Sequence, residues 1–340
     1  MVDLDQDSDS AERPLLGVTV GDPAGIGPEI LLTALQEPSL LRSARLLILG
    51  PEACRPDHVP ALPADGALSL STIRDVAWLD TGGPADWRMG AVQAECGRAA
   101  IEALRRGVEL ARSDQIDGLV TGPVNKEALH LAGEPCEGQT ELIGRWCDAP
   151  RVQMLAVADR LRVLLLTRHM PLARALESIT EERVLEHLRL LHETLVELGH
   201  DRPRLALAGL NPHAGENGIL GSEDRELLEP AVARAVAEGI DVSGPLSPDT
   251  VFIHAADGRF DAVLALYHDQ GLIPVKLLAP QRGLTLLAGL PFLRVSPAHG
   301  TAFDIAGTGT ADASNLLAAL FQTADWARAR LERRRGRPGS

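Results

Sequence analysis

Three apolar runs in this chain are each followed within a few residues by a histidine: LRVLLLTRH reaches His169, RLALAGLNPH reaches His213, and DAVLALYH reaches His268. Neutral imidazoles bind divalent cations, and three of them can hold one ion while leaving positions open to a substrate. In parallel α/β sheets the carboxyl ends of the strands open on one crevice, so histidines distant in sequence can meet there. The alternative is that each ring caps a strand end or bonds a loop. Neighbouring residues favour the first reading: Asp269 follows His268 and can fix its ring, and Asn211 and Glu216 flank His213. His58, His130 and His254 lack such company, and His187, His192 and His200 lie on or beside one amphipathic helix, where they read as solvated or structural.

The basic residues show a second pattern. Lysine and arginine total 33, yet lysine occurs only at Lys126 and Lys276. A chain that uses arginine wherever any cation will do can keep lysine where a compact ammonium is needed. Lys276 follows what reads as a turn from Gly271 to Pro274 after His268, which would aim it at an anion beside the ion. Lys126, in VTGPVNKEAL, follows a strand and a Gly-Pro turn and opens a helix. An ordinary exposed lysine is the plain alternative at each position.

Short apolar runs alternate with helical segments, the mark of βαβ units. LLGVTV, RLLILG, GLVTG, LRVLLLT, RLALAGL and DAVLALY read as strands; PEILLTAL, AECGRAAIEALRRGVELAR, EERVLEHLRLLHETLVELG and SNLLAALFQTADWARARL read as helices. In the third helix Val184, Leu188, Leu191 and Leu195 share one face. A length of 340 residues exceeds what one core supports, which predicts two domains. Apolar residues make up 45% and aromatics 3%, a composition suited to aliphatic helices packed on sheets.

A net charge of −14 repels nucleic acid and anionic lipid, so cations meeting a small anion would be local and held in a pocket. Cys54, Cys96, Cys136 and Cys147 show neither C-x-x-C nor metal-ligand spacing and read as reduced thiols of a cytosolic protein. The opening MVDLDQDSDSAERP lacks the pattern of a signal peptide, and no apolar run approaches membrane-spanning length, so a cytoplasmic protein with no membrane partner is expected. Residues 1–13 and 331–340 read as disordered tails.

GVTVGDPAGIGPEI is a strand, a glycine-rich turn and a helix start, with Pro28 and Glu29 in the first turn; it is not G-x-G-x-x-G and names no nucleotide by itself. SPAHGTAFDIAGTGTADASNLLAAL is more informative, a run of small and polar residues displaying His299 and Asp304. It resembles the adenine-binding loop H-G-S/T-A-x-D-I-A-G-x-G of the isocitrate and isopropylmalate dehydrogenases. With GDPAGIGPE, TGPVNKEAL, NPHAGENG, SPDTVF, YHDQG and GLPFLR, the chain from about residue 17 to 325 resembles the 4-hydroxythreonine-4-phosphate dehydrogenase family of vitamin B6 biosynthesis.

That resemblance implies an isopropylmalate-dehydrogenase-like fold of two α/β/α domains with an intervening cleft. Residues 14–130 with 280–330 would form a discontinuous domain on the cofactor-loop side, and residues 131–279 the domain of metal, substrate and dimer contacts. It implies a homodimer whose active site is completed across the interface, acting on a small phosphorylated substrate. NAD, or NADP, would be held by His299, Gly300, Thr301, Asp304 and Gly307. The metal ligands would be His169, His213 and His268, with zinc the first choice for three imidazoles and cobalt, manganese or magnesium also able to serve.

Lys276, Arg294 and Thr140 match the family's substrate-binding residues. Two positions depart from its pattern: Gln139 replaces the histidine of G-H-T-E, and Thr285 stands where asparagine is expected. Glutamine can bond a phosphate but cannot carry imidazolium charge. The implied reaction is oxidation of the C3 hydroxyl of 4-phosphohydroxy-L-threonine followed by decarboxylation to 3-amino-2-oxopropyl phosphate. Asp249, Lys126 and a metal-bound hydroxide are the candidates to take the hydroxyl proton, Asp249 first, and Lys276 would stabilise the enolate left by carbon dioxide. The alternatives are a sister enzyme for 4-phospho-D-threonate or 4-phospho-D-erythronate and, more remotely, a phosphate acyltransferase on the same fold.

Overall fold

The computed structural model describes residues 13–63, 70–136 and 138–336. The chain divides into two compact units, Met1–Pro150 with Leu290–Ser340, and Arg151–Gly289. Unit 1 opens with β1 (Leu15–Thr19), α1 (Gly27–Leu35), α2 (Pro38–Ser43), β2 (Arg45–Gly50) and β3 (Val76–Asp80), then α3 (Ala94–Arg112), β4 (Gly118–Thr121), α4 (Lys126–Leu131) and α5 (Gln139–Trp146). Unit 2 holds β5 (Gln153–Ala158), β6 (Leu161–Leu165), α6 (Leu172–Glu177), α7 (Glu181–Glu197), β7 (Leu205–Ala208) and α8 (Glu229–Ala237). It continues with β8 (Val242–Leu246), α9 (Val251–Ala256), β9 (Ala262–Ala265), α10 (His268–Leu278) and β10 (Leu284–Ala288). The chain returns to unit 1 for β11 (Arg294–Pro297) and α11 (Ser314–Gly336). The α/β class expected from the sequence is what the chain adopts.

In unit 1 the strand order is β3-β2-β1-β4-β11, all pairs parallel. Parallel strands covered on both faces read as unbroken apolar runs, and Leu46, Leu47, Ile48 and Leu49 of β2 are fully buried. Two glycine contacts show what covers each face. A Cβ on Gly118 would stand 2.8 Å from Thr323 of α11, and a Cβ on Gly107 of α3 would stand 2.7 Å from Leu119. Residues 118 and 119 point to opposite faces of a strand, so α11 and α3 lie on opposite sides of the sheet.

Unit 2 has the order β10-β5-β6-β9-β7-β8, antiparallel across β10-β5-β6 and parallel from β6 to β8. The helix α7 begins where Thr180 accepts a hydrogen bond from the Arg183 amide at 3.3 Å, with Glu181 and Glu182 in the first turn favourable to the helix dipole. Its Val184, Leu188, Leu191 and Leu195 are buried, as their spacing predicts, and His187 is packed beside them.

Four expectations change. Residues 131–150 fall in unit 1, because Gln139 at the head of α5 bonds Gly122 and Arg294 there; residues 280–289 fall in unit 2, because β10 pairs with β5. The turn expected from Gly271 to Pro274 is part of the continuous helix α10. Gly271 serves packing: a Cβ there would stand 2.6 Å from Leu165 and 2.8 Å from Val163. The helix α11 runs on through Gly336, with Arg334 paired to Asp114 at 2.9 Å, and Arg13 is tied to Leu41, Arg74 and Asp75. The rest of the two expected tails, residues 1–12 and 337–340, lies outside the described residues.

The four cysteines are free thiols, and burial pushes Cys54 up to about 12 and Cys96 up to about 11. Alkylation reacts with thiolate, so native protein at pH 8 should leave both unlabelled while denatured chain labels fully. Rapid native labelling at either position, read by mass spectrometry, would contradict that burial. Among the described residues no helix is long and apolar enough to cross a membrane.

Candidate functional site

In unit 2, β6 and β9 are neighbouring parallel strands, and the loops that leave them stay together. The Leu166 amide donates to Ala265 O at 2.8 Å, and the Thr167 hydroxyl donates to Leu266 O at 2.8 Å. His169 and His268 therefore stand side by side, ring centroids 5.6 Å apart. His268 opens α10, and its Nδ1 lies 2.6 Å from Asp269 Oδ1, which leaves Nε2 free. A carboxylate on one ring nitrogen with the other free is how metal-binding histidines are oriented. Gln270 braces the pair, accepting from the Leu266 amide at 2.7 Å and donating to Gly209 O at 2.7 Å. Its part was not read from the sequence, where YHDQG offers only an amide beside a histidine.

His213 follows β7 in a run of left-handed residues, His213, Ala214, Gly215, Glu216 and Asn217. The buried Asp224 carboxylate pins the start of this run, accepting from the amides of Leu210 at 2.8 Å and Asn211 at 3.0 Å and from the Asn211 side chain at 2.8 Å. His213 Nδ1 lies 3.5 Å from Ser247 Oγ, which donates to Asp249 at 2.7 Å. That bond holds the exposed Asp249 carboxyl below its ordinary range. Among the described residues no three His, Cys, Asp or Glu side chains are assembled as a metal-binding group. The structure thus brings two of the three candidate ligands together, a donor set that fits two corners of a coordination sphere.

Lys276 is exposed near the end of α10, with no hydrogen bond or ion pair among the described residues. Eight residues of helix separate it from His268 by about 12 Å along the axis, so the two side chains address points two turns apart. Thr285 lies on β10 opposite Ala156, half-buried.

Unit 1 contains a buried cation. Arg294 opens β11 and is 3% exposed; its Nη2 donates to Thr121 Oγ1 at 2.6 Å and to Gln139 Oε1 at 3.0 Å. Gln139 Nε2 donates to Gly122 O at 2.9 Å, which fixes the amide's orientation. Arg294 Nε is buried and has no hydrogen-bond partner, while the Glu141 carboxylate acts on the guanidinium through space and favours its charged form. Burial lowers its pKa to about 9, still high enough to keep the charge at neutral pH. Thr140 follows in the first turn of α5, and Lys126 passes beside Gly138, its Cε 3.8 Å from where a Cβ would be. This cluster therefore gathers Lys126, Gln139, Thr140 and Arg294.

Asp22 was also not singled out in the sequence. Its Oδ1 accepts from the Ala24 amide at 2.9 Å, its Oδ2 is buried without a partner, and burial raises its pKa to about 6. In the loop after β11, Thr301 is buried while Gly300, Asp304 and Gly307 are exposed. His299 Nε2 is buried without a partner, and a Cβ on Gly300 or Gly309 would meet nothing within 4 Å. An orphaned donor or acceptor beside open glycine backbone fits a dinucleotide approaching closely.

One α/β unit carries a histidine pair and the other a buried guanidinium, polar groups of the kind enzymes use. The family model described as pyridoxal phosphate biosynthetic protein PdxA matches residues 39–323, and the chain belongs to that family as one of its dehydrogenases. It is 43% identical over 324 residues to the 4-hydroxythreonine-4-phosphate dehydrogenase of Desulforapulum autotrophicum, covering 92% of this chain and 95% of that one. It is 40% identical over 324 residues to the D-threonate 4-phosphate dehydrogenase of Salmonella typhimurium, covering 91% and 98%. Its fold is similar to the crystal structure of 4-hydroxythreonine-4-phosphate dehydrogenase from Klebsiella pneumoniae, with TM-score 0.81, 37% identity and coverage of 92% and 99%.

Proposed function

We propose that this dehydrogenase uses NAD and a divalent cation to oxidise the C3 hydroxyl of 4-phosphohydroxy-L-threonine, with loss of carbon dioxide giving 3-amino-2-oxopropyl phosphate. The buried guanidinium of Arg294 carries this reading. A buried guanidinium with an unpartnered Nε is costly, and a phosphate group would supply both negative charge and an acceptor for that N–H. Thr140 and Lys126 add a hydroxyl and an ammonium from the same cluster.

When bound, the cation would lower the pKa of the substrate hydroxyl and the nicotinamide would take the hydride. His169 and His268 would hold the cation, with zinc suited to imidazole donors, and His213 would join them across the homodimer interface. Exposed Ile273 and Leu277 support such a dimer, being apolar side chains left uncovered further along the helix that His268 opens. Asp249, kept ionised by Ser247, would accept the hydroxyl proton, and Lys276 would face the charge that develops as carbon dioxide leaves. His299 to Gly307 would hold the dinucleotide.

A second reading, oxidation of 4-phospho-D-threonate, is favoured by Gln139, a neutral amide where the resembled motif has an imidazole. The test is NADH formation with 4-phosphohydroxy-L-threonine, 4-phospho-D-threonate and 4-phospho-D-erythronate, with and without a chelator. The first substrate should turn over with the highest kcat/KM, and the chelator should abolish it. Faster oxidation of 4-phospho-D-threonate would install the second reading, and no NADH with any of the three would overturn both.

A further inference from the structure

We infer that Glu29 is a positioning residue for the loop 299–311, locking that loop into its binding form before any dinucleotide arrives. The inference rests on the reading above that this loop takes the cofactor. Glu29 lies in the first turn of α1, 278 residues before Gly307, and both of its carboxylate oxygens are used on the loop. Oε2 accepts from the Gly307 amide at 2.7 Å, and Oε1 accepts from the Ala311 amide at 3.1 Å.

The loop needs such a clamp. Gly307 and Gly309 have φ of 78° and 73°, and Ala302 has φ of 43°, so the path combines flexible glycine with a strained alanine. Residues 307–310 are exposed, and solvent-exposed glycine-rich backbone loses much conformational freedom when ordered. Fixing it in advance removes that penalty from the binding step. A carboxylate receiving two backbone N–H groups is a charge-assisted contact, and it fills the place that a phosphate would take in a backbone nest. The Gly307 and Ala311 amides are thus occupied by the protein itself.

The glycine-rich turn that carries Glu29 is fitted to the same loop. The Ile26 amide donates to Thr301 O at 3.0 Å, and a Cβ on Gly25 would stand 2.9 Å from Thr301 Cβ. The Gly90 amide donates to Ala24 O at 2.8 Å, while a Cβ on Gly90 would stand 2.5 Å from Phe303 O. The turn's close approach is therefore to Thr301, Gly90 on the turn's flank meets Phe303, and Glu29 extends the attachment along the loop to residues 307 and 311.

The test compares the full-length chain with Glu29→Gln by calorimetric NAD titration, by kcat and KM for NAD, and by hydrogen exchange of the Gly307 and Ala311 amides without cofactor. Glu29→Gln should weaken NAD binding and raise KM about tenfold, leave kcat at saturating NAD within twofold, and speed both amides at least about tenfold. Glu29→Asp, which keeps the charge, should recover part of the affinity and serves as the measured variant if Glu29→Gln does not fold. Unchanged exchange at both amides would overturn the inference, as would unchanged NAD affinity in a parent that binds NAD. A parent that binds no NAD overturns the cofactor reading instead, and the exchange measurement still decides whether Glu29 holds the loop.

Discussion

Arg294→Ala is expected to lower kcat/KM for the phosphorylated substrate by roughly 10²–10³-fold, the equivalent of about 3–4 kcal/mol for a lost contact to a buried charge. The reason is geometric as well as electrostatic. Thr121 and Gln139 both accept from Nη2 and so hold one edge of the guanidinium, leaving Nε without a protein partner. Arg294→Lys keeps a charge but loses the planar fork, so it should restore only part of the rate. A thermal measurement separates this role from a structural one. Phosphate that binds the folded state raises Tm by mass action, so millimolar inorganic phosphate should stabilise the parent and leave Arg294→Met unaffected. Equal stabilisation of both proteins, or kcat/KM within twofold of the parent in Arg294→Ala, would remove Arg294 from the substrate site.

His268→Ala should abolish measurable turnover, with metal per protomer falling to about a tenth of the parent value or less. His169→Ala should do the same, because the two rings at 5.6 Å would share one ion. Asp269→Asn is milder: it leaves the ring in place but weakens the partner on Nδ1, and an outer contact of that kind changes metal affinity by about 10–100-fold. Elemental analysis after dialysis gives the metal content independently of activity. Full occupancy in His268→Ala would move the cation elsewhere in the chain.

Much of the framework was legible because buried parallel strands and amphipathic helices leave strong patterns. RLLILG coincides with β2, and AECGRAAIEALRRGVELAR coincides with α3. The position of His169 and His268 could be read because each leaves a strand, and β6 and β9 prove to be neighbours. The left-handed path of residues 213–217 was not readable, since it depends on the Asp224 carboxylate beneath it rather than on local propensity. GLIP, Gly271 to Pro274, was misread as a turn because glycine and proline are turn signals, while the reason for Gly271 is a contact with β6 that sequence does not display. Arg294 was picked out through the resemblance of GLPFLR alone, and nothing in that segment displayed its burial. Its place beneath Thr121 and Gln139, with Nε left without a hydrogen-bond partner, emerges only in the fold.

The missing side chain at Gly271 links the interior to the chemistry. The helix that begins at His268 rests directly on Val163 and Leu165, with no spacer between its backbone and those methyl groups. Enlarging position 271 would lift the helix off its seat and carry the imidazole with it, although nothing polar had been altered. The direction in which His268 leaves the helix start is therefore set from below, by a hydrogen atom in an aliphatic floor.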